Sequence, residues 1–143
     1  MEPAPYPITL ERVFFTRSII VAVPAHIPGN GVLLSPENKI DLIAIKDEPG
    51  RYQVTMHSTL NNNGDPSAPY IIDMECVGLF VADASLATEE ATKGVMITAH
   101  SVLYGAIREA VAWITARQPF GQLILGLSVL QSAPSAAAPQ PNE

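Results

Sequence analysis

One cysteine in 143 residues, Cys76, has nothing to pair with inside the chain, so no disulfide framework stands in for a core. A reducing compartment, the cytoplasm, is the expected setting. Basic residues are few: eight Lys and Arg against fourteen Asp and Glu give a net charge of −6, and the eight form no run. Such a chain lacks the electrostatic footprint of a nucleic-acid binder. The opening residues, MEPAPYPITLERV, carry neither the basic stretch nor the apolar core of a secretion signal. Membrane insertion is not expected either. The uncharged stretch over residues 18–36 is broken by Pro24 and Pro28, and the one after Arg117 by Pro and Gly.

Chemistry-bearing patterns are missing too. His26, His57 and His100 fall on a predicted loop, strand and helix, with no His or Cys at metal-ligand spacing, so neither metal nor cofactor is expected. A nucleophilic Cys76 would need an orienting base, and only His57 on the neighbouring predicted strand could serve; filling apolar space is the simpler role. Phosphate-loop, dinucleotide and triad-like patterns are absent, and no enzyme is expected. Arg108-Glu109 reads as a structural ion pair or hydrogen-bond anchor at an interface rather than a catalytic pair. Asp73 and Glu75 share one strand face by period 2, as a solvated surface or as part of an acidic docking patch.

What the chain has is apolar surface. Hydrophobic residues make up 48% and charged residues only 15%, more than one small domain can bury alone. The excess concentrates at residues 102–130, VLYGAIREAVAWITARQPFGQLILGLSVL. A helix is predicted over about 98–117, breaking at Gln118-Pro119, and it is apolar almost all the way round. A helix of a lone domain should show one apolar stripe and one charged face. One small sheet cannot cover Leu103, Ile107, Val111, Trp113 and Ile114 together, so a second copy of the chain is expected to cover part of them.

Upstream, Pro3, Pro5 and Pro7 mark a loose arm over residues 1–7. A Phe-, Ile- and Val-rich run at 9–23 predicts a first strand. Residues 24–36, PAHIPGNGVLLSP, form a Pro/Gly-bounded connection whose apolar trio Val32, Leu33 and Leu34 suggests a crossing over another element or a groove wall. Residues 39–46 and 51–60 predict the second and third strands, and the turn-rich 61–69, NNNGDPSAP, brings 70–82 back antiparallel as the fourth. Ser85 is a plausible cap for a short turn holding Glu89 and Glu90. The domain is expected over 8–131, with 132–143 a disordered Pro/Ala-rich tail. Strands first and the main helix last predict an α+β class: a four-stranded antiparallel meander sheet with one long helix packed on it, in an oligomer.

The helix and the residues after it resemble the SecB family of bacterial protein-export chaperones. The resemblance rests on Leu103-Tyr104, Arg108-Glu109, Arg117, Phe120, Gln122-Leu123, Leu125 and Val129-Leu130. Upstream, Phe15-Thr16-Arg17 through Pro24, Pro36-Glu37 with Lys39-Ile40-Asp41-Leu42, and Gly78-Leu79-Phe80 occur in the family's order. Each motif is weak alone; their order over about residues 8–130 carries the resemblance. It implies an ATP-independent holdase, a homotetramer built as a dimer of dimers. Such a holdase binds non-native polypeptides in apolar grooves and hands them to a partner, in export the motor SecA. Carried over by position, the groove is lined by Leu33 and Leu34, Ile40 and Leu42, and Tyr70, Ile72, Met74 and Cys76, although ordinary core is an equal reading for Ile72 and Met74.

The departures bear on partners. The resemblance puts the SecA-docking positions at Ser18, Ala22, Ile71 and Asp73, where two first-strand acids are replaced and one fourth-strand acid is kept. Electrostatic steering toward a basic partner is weakened accordingly. The family's last helix is cut short, and Pro134, Pro139 and Pro141 make a substitute unlikely to form, which predicts a wider, more open groove. General export, a dedicated role with one partner such as an antitoxin, and a non-chaperone oligomeric scaffold are the functions in play.

Overall fold

The computed structural model describes residues 7–29, 34–128 and 130. Within them the chain runs through four strands, β1 (Ile8–Ala22), β2 (Glu37–Ala44), β3 (Arg51–Leu60) and β4 (Tyr70–Ala82), and one helix, α1 (Thr88–Thr115). All neighbouring strands are antiparallel, in the order β1-β4-β3-β2. Consecutive hairpins make β2, β3 and β4 a meander. β1 joins it beside β4, at the edge opposite β2, so the connection between β1 and β2 has to pass from one side of the sheet to the other. The predicted arm and tail, and Leu33 of the predicted groove, lie outside the described residues.

Local chemistry explains the turns. Asn61, at φ 55°, closes the β3–β4 connection by accepting a 2.9 Å bond from the Asp65 N–H. Gly50, at φ 81°, sits where a Cβ would come within 2.9 Å of the Ala82 carbonyl, so only glycine fits the β2–β3 corner against the end of β4. β3 shows the period of a half-buried strand: Tyr52, Val54, Met56, Ser58 and Leu60 are buried, and the residues between them are not. β4 lies between β1 and β3 and buries one whole face.

α1 begins ten residues before the predicted start at 98. The Glu89–Glu90 segment read as a separate turn is its first turn, where acidic side chains favour the positive end of the helix dipole. Ala87 holds the cap position with no side-chain bond, and Asp83, not Ser85, organises the approach by accepting the Ser85 N–H at 2.8 Å. From there Ala91, Val95, Ala99, Leu103, Ile107 and Val111 form one ridge, buried against the sheet, with β4 under the helix and β1 and β3 to either side. Gly78 of β4 lets the helix come close: a Cβ there would lie 3.1 Å from Leu103 and 2.5 Å from the Phe80 ring.

This orientation corrects the expected oligomer interface. Leu103, Ile107 and Val111 are fully buried inside their own subunit. Side chains four apart on a helix share a face, and theirs is the face the sheet needs. Trp113, 62% exposed, and Ile114, half-buried, are the two members of that set left near the surface.

Candidate functional site

After α1 the chain turns at Gln118–Gly121 and runs back along the helix, extended, as residues 121–128, here termed the strap. Its contacts climb α1 in reverse order. The Leu123 N–H donates to Thr115 Oγ1 at 2.8 Å, and Arg108 Nε donates to the Leu125 carbonyl at 2.9 Å. Tyr104 donates its hydroxyl to the Gly126 carbonyl, and His100 Nε2 lies 3.2 Å from Ser128 Oγ. At the turn, Tyr70 of β4 donates its hydroxyl to the Gly121 carbonyl at 2.7 Å and accepts the Phe120 N–H at 3.1 Å. On the far side Asn38 of β2 donates to Ser128 Oγ at 3.2 Å.

From Gln122 to Leu125 the strap alternates as an extended chain does: Leu123 is half-buried, Ile124 59% exposed and Leu125 fully buried; the alternation breaks at Gly126, and Leu127 is 85% exposed. Leu34, Leu42 and Ile40 are half-buried and pack on the core, the two β2 residues on the same strand face as Asn38. The slot holding the strap therefore has a wall of α1 side chains (His100, Tyr104, Arg108), a wall from β2, and a rim at Leu34–Ser35. Arg108 is an anchor, as its pairing with Glu109 suggested, but for a backbone carbonyl of its own chain. The sequence signal for the strap is the recurrence of Leu at 123, 125 and 127 after the break at Gln118-Pro119.

Burial tunes the ionisable groups here. Desolvation lowers the His100 pKa, keeping the imidazole neutral, and raises that of Tyr104 against the opposing pull of Arg108 and a bond with Asn38. An unfolded histidine titrates near ~6.5. As pH falls through that value the unfolded chain takes up a proton that folded His100 resists, so stability is full above it and declines below it. The thermal midpoint is expected to fall between pH 7.5 and 5.5, and His100→Gln to flatten that slope; an unchanged slope in the variant would place the acid sensitivity elsewhere.

The remaining predicted groove residues are core. Tyr70, Ile72, Met74 and Cys76 are buried beneath α1, on the strand face that carries Val54 and Met56 of β3 across from them. Period 2 put the four on one face, and the helix covers that face. Burial pushes the Cys76 thiol up to about 11, far from a thiolate at neutral pH. His57 pairs with Glu75 and so points to the opposite side of the sheet from Cys76, which rules out their working as nucleophile and base.

The docking positions are divided as well. Ser18 and Ala22 stand opposite Met74 and Tyr70, on the helix side, whereas Ile71 and Asp73 stand opposite Val21 and Ile19, on the outer side. The cause is a β-bulge between Phe15 and Arg17: one extra residue reverses the inside–outside parity of everything after it. The outer side instead carries mixed charge. Asp73 lies 3.2 Å from Arg17 and 2.5 Å from His57 Nε2, and Glu75 accepts from Thr16 at 2.6 Å. Of the acids that looked like a docking patch, Asp73 is paired with Arg17 across the strands, and Glu75 is hydrogen-bonded by Thr16.

A second apolar surface lies at the β1 edge. Leu10 and Phe15 are exposed on the helix side of β1, with Val13 half-buried between them. On α1 the line Gly94, Thr98, Val102, Ala106, Ala110 and Ile114 flanks the core ridge on the side where Gly94 approaches Ile8 of β1. Unlike its strap-facing flank, this flank is covered by no later segment among the described residues. Those residues contain no group of three His, Cys, Asp or Glu placed to hold a metal, and no helix long and apolar enough to cross a membrane.

No family model and no curated protein matches the sequence. Solved structures do. A SecB-like chaperone of Mycobacterium tuberculosis, in complex with a ChAD peptide from the HigA1 antitoxin, superposes with a TM-score of 0.67 at 21% identity, over 85% of this chain and 91% of that one. A protein of unknown function from Streptococcus agalactiae superposes with a TM-score of 0.59 at 11% identity, over 87% of this chain and all of that one. The antiparallel sheet with its single long helix is thus a SecB-like fold.

Proposed function

We propose that this SecB-like chain is a molecular chaperone: an ATP-independent holdase that binds unfolded or partly folded polypeptides and keeps them from aggregating. The observation that carries the reading is apolar surface held open on a rigid frame. Ile124 and Leu127 on the strap are exposed, apart from Leu10, Phe15 and Trp113, which the contacts between copies would cover. Scattered exposed apolar residues are ordinary; large ones on an extended segment that lies over a groove mark a surface meant for other polypeptides. The structural neighbour's complex with an antitoxin peptide supports the same reading.

In this reading the chain works as a cytoplasmic homotetramer, a dimer of dimers. The β1 edge, the flank of α1 from Val102 to Ile114 and Trp113 supply the contacts between copies. Of the two chaperone roles, a dedicated client is favoured over general export. The outer sheet side holds Asp73 in an ion pair with Arg17 and a hydrogen bond with His57, and offers Arg17, Ile19 and Val21 where a docking surface for a basic partner would want acids.

Two unrelated aggregation-prone proteins, diluted from denaturant with stoichiometric chaperone and no nucleotide, test this. Light scattering is expected to be suppressed for at least one and to be insensitive to ATP. If neither is protected at any ratio, the chain is an oligomeric scaffold or binding module on the same fold.

A further inference from the structure

Three of the strap's hydrogen bonds do not depend on its sequence, whereas those of Ser128 Oγ with Asn38 and His100, and that of Gln122 with the Ala112 carbonyl, do. Arg108 and Tyr104 donate to main-chain carbonyls of residues 125 and 126, and Thr115 accepts a main-chain N–H. These groups would meet any extended chain laid in the same direction. Side-chain selectivity rests on few positions: one fully buried site at Leu125, a half-buried site two residues before it at Leu123, and small residues at Gly126 and Ser128. The strap is apolar on its outer side too, where Ile124 and Leu127 cover nothing in this subunit. A segment selected only to roof a core would carry polar residues there.

Resting on the chaperone reading, we propose that the slot between α1 and β2 is a client site, and that residues 121–128 are its resident occupant, displaced by an extended client peptide. The favoured client carries large aliphatic residues at alternating positions next to a small residue, the pattern Leu-x-Leu-Gly that fills the slot now. A tethered occupant acts at an effective concentration of roughly millimolar, so the client's apparent affinity is reduced by the fraction of time the slot is closed. Exchange costs little in hydrogen bonds, because the client takes over the donors at Arg108 and Tyr104 that the strap leaves. It also needs no nucleotide: client binding energy does the opening.

Two variants of the full chain separate this from a purely structural strap. A Cβ on Gly126 would lie 3.5 Å from Ser35 Oγ, the position a sulfur at residue 35 would take, and meet nothing else within 4 Å. That puts the Cβ–Cβ separation above 4 Å, toward the long end of the about 3.5–4.5 Å that disulfides span. Ser35→Cys/Gly126→Cys therefore locks the strap when oxidised and frees it when reduced; Cys76 stays out of the exchange because it is buried. The probe is a fluorescein-labelled peptide of sequence FGQLILGLS, read by anisotropy, with aggregation suppression measured on the same samples.

The reduced protein is expected to bind the peptide and the oxidised protein to bind at least tenfold more weakly, with reductant restoring the binding. Leu125→Ala, which weakens the occupant and leaves the walls intact, is expected to bind the peptide at least threefold more tightly than the parent while its circular dichroism stays that of a folded chain. Equal affinity in oxidised and reduced forms, or no peptide binding at all, overturns the proposal. If aggregation is still suppressed in those cases, the chaperone reading stands and clients bind elsewhere; loss of suppression in every form, parent included, overturns both.

Discussion

Trp113→Asp is expected to leave the fold intact and break the assembly, whereas Ile107→Asp is expected to leave no folded chain to assemble. The two residues lie less than two turns apart on α1, and their burial inside the subunit separates them. Ile107 is fully buried between helix and sheet. A carboxylate there has no partner and no water, a cost on the order of the whole stability of a small domain. Trp113 is exposed, and the Arg117 guanidinium lies 4.4 Å from its indole ring. Losing that contact costs about 0.5–1 kcal/mol. If a second copy covers Trp113, however, the aspartate becomes an unpaired buried charge, at about 3–5 kcal/mol per contact, a loss of hundredfold or more in association. Circular dichroism and sedimentation velocity read the two outcomes together. A Trp113→Asp chain that folds and sediments like the parent removes the outer side of α1 from the assembly surface.

That contrast depends on something the sequence showed only in part. The helix was legible as too apolar for one sheet, and so it is. Its cover, however, comes partly from within the chain: the strap takes the flank of His100, Tyr104 and Arg108, and β1 approaches the flank of Gly94. Extended segments without a sheet partner leave no periodic signature beyond a short alternation, and Gln122 through Ser128 is too short for that alternation to mark an element. The α+β class, the antiparallel return of β4 on β3 and the long connection after β1 were legible because turn residues and period 2 are local signals. Parity along β1 was not. The bulge after Phe15 inserts a residue whose only effect is to reverse which side Ser18, Ile19 and Ala22 face, and no single-residue preference marks Thr16 as the extra one. Register is a property of the pair of strands, so a docking surface read from one strand's positions falls on two sides of the sheet.

Met74→Ala is the second large effect, and it decides between groove and core for the fourth strand. Met74 is fully buried and stands opposite Ser58 of β3 and Ser18 of β1, under the helix. Removing its side chain leaves a cavity that close-packed neighbours fill only in part, so the expected loss of stability is about 2–5 kcal/mol. Urea unfolding should show this as a lowered midpoint at unchanged slope, because the surface exposed on unfolding hardly changes. Client binding per folded molecule should stay as it was, measured with the same labelled peptide well below the new midpoint. A groove residue would behave the other way round: affinity falls, and stability holds because one solvated side of the residue had no neighbours to lose. Tyr104, whose hydroxyl donates to the Gly126 carbonyl of the strap, is the matched control. Its phenylalanine variant should cost less stability than Met74→Ala and should change peptide affinity, since the hydroxyl lines the slot rather than the space under the helix. If Met74→Ala weakens peptide binding while the urea midpoint stays in place, the helix does not seal that face of β4, and the client site reaches beneath it.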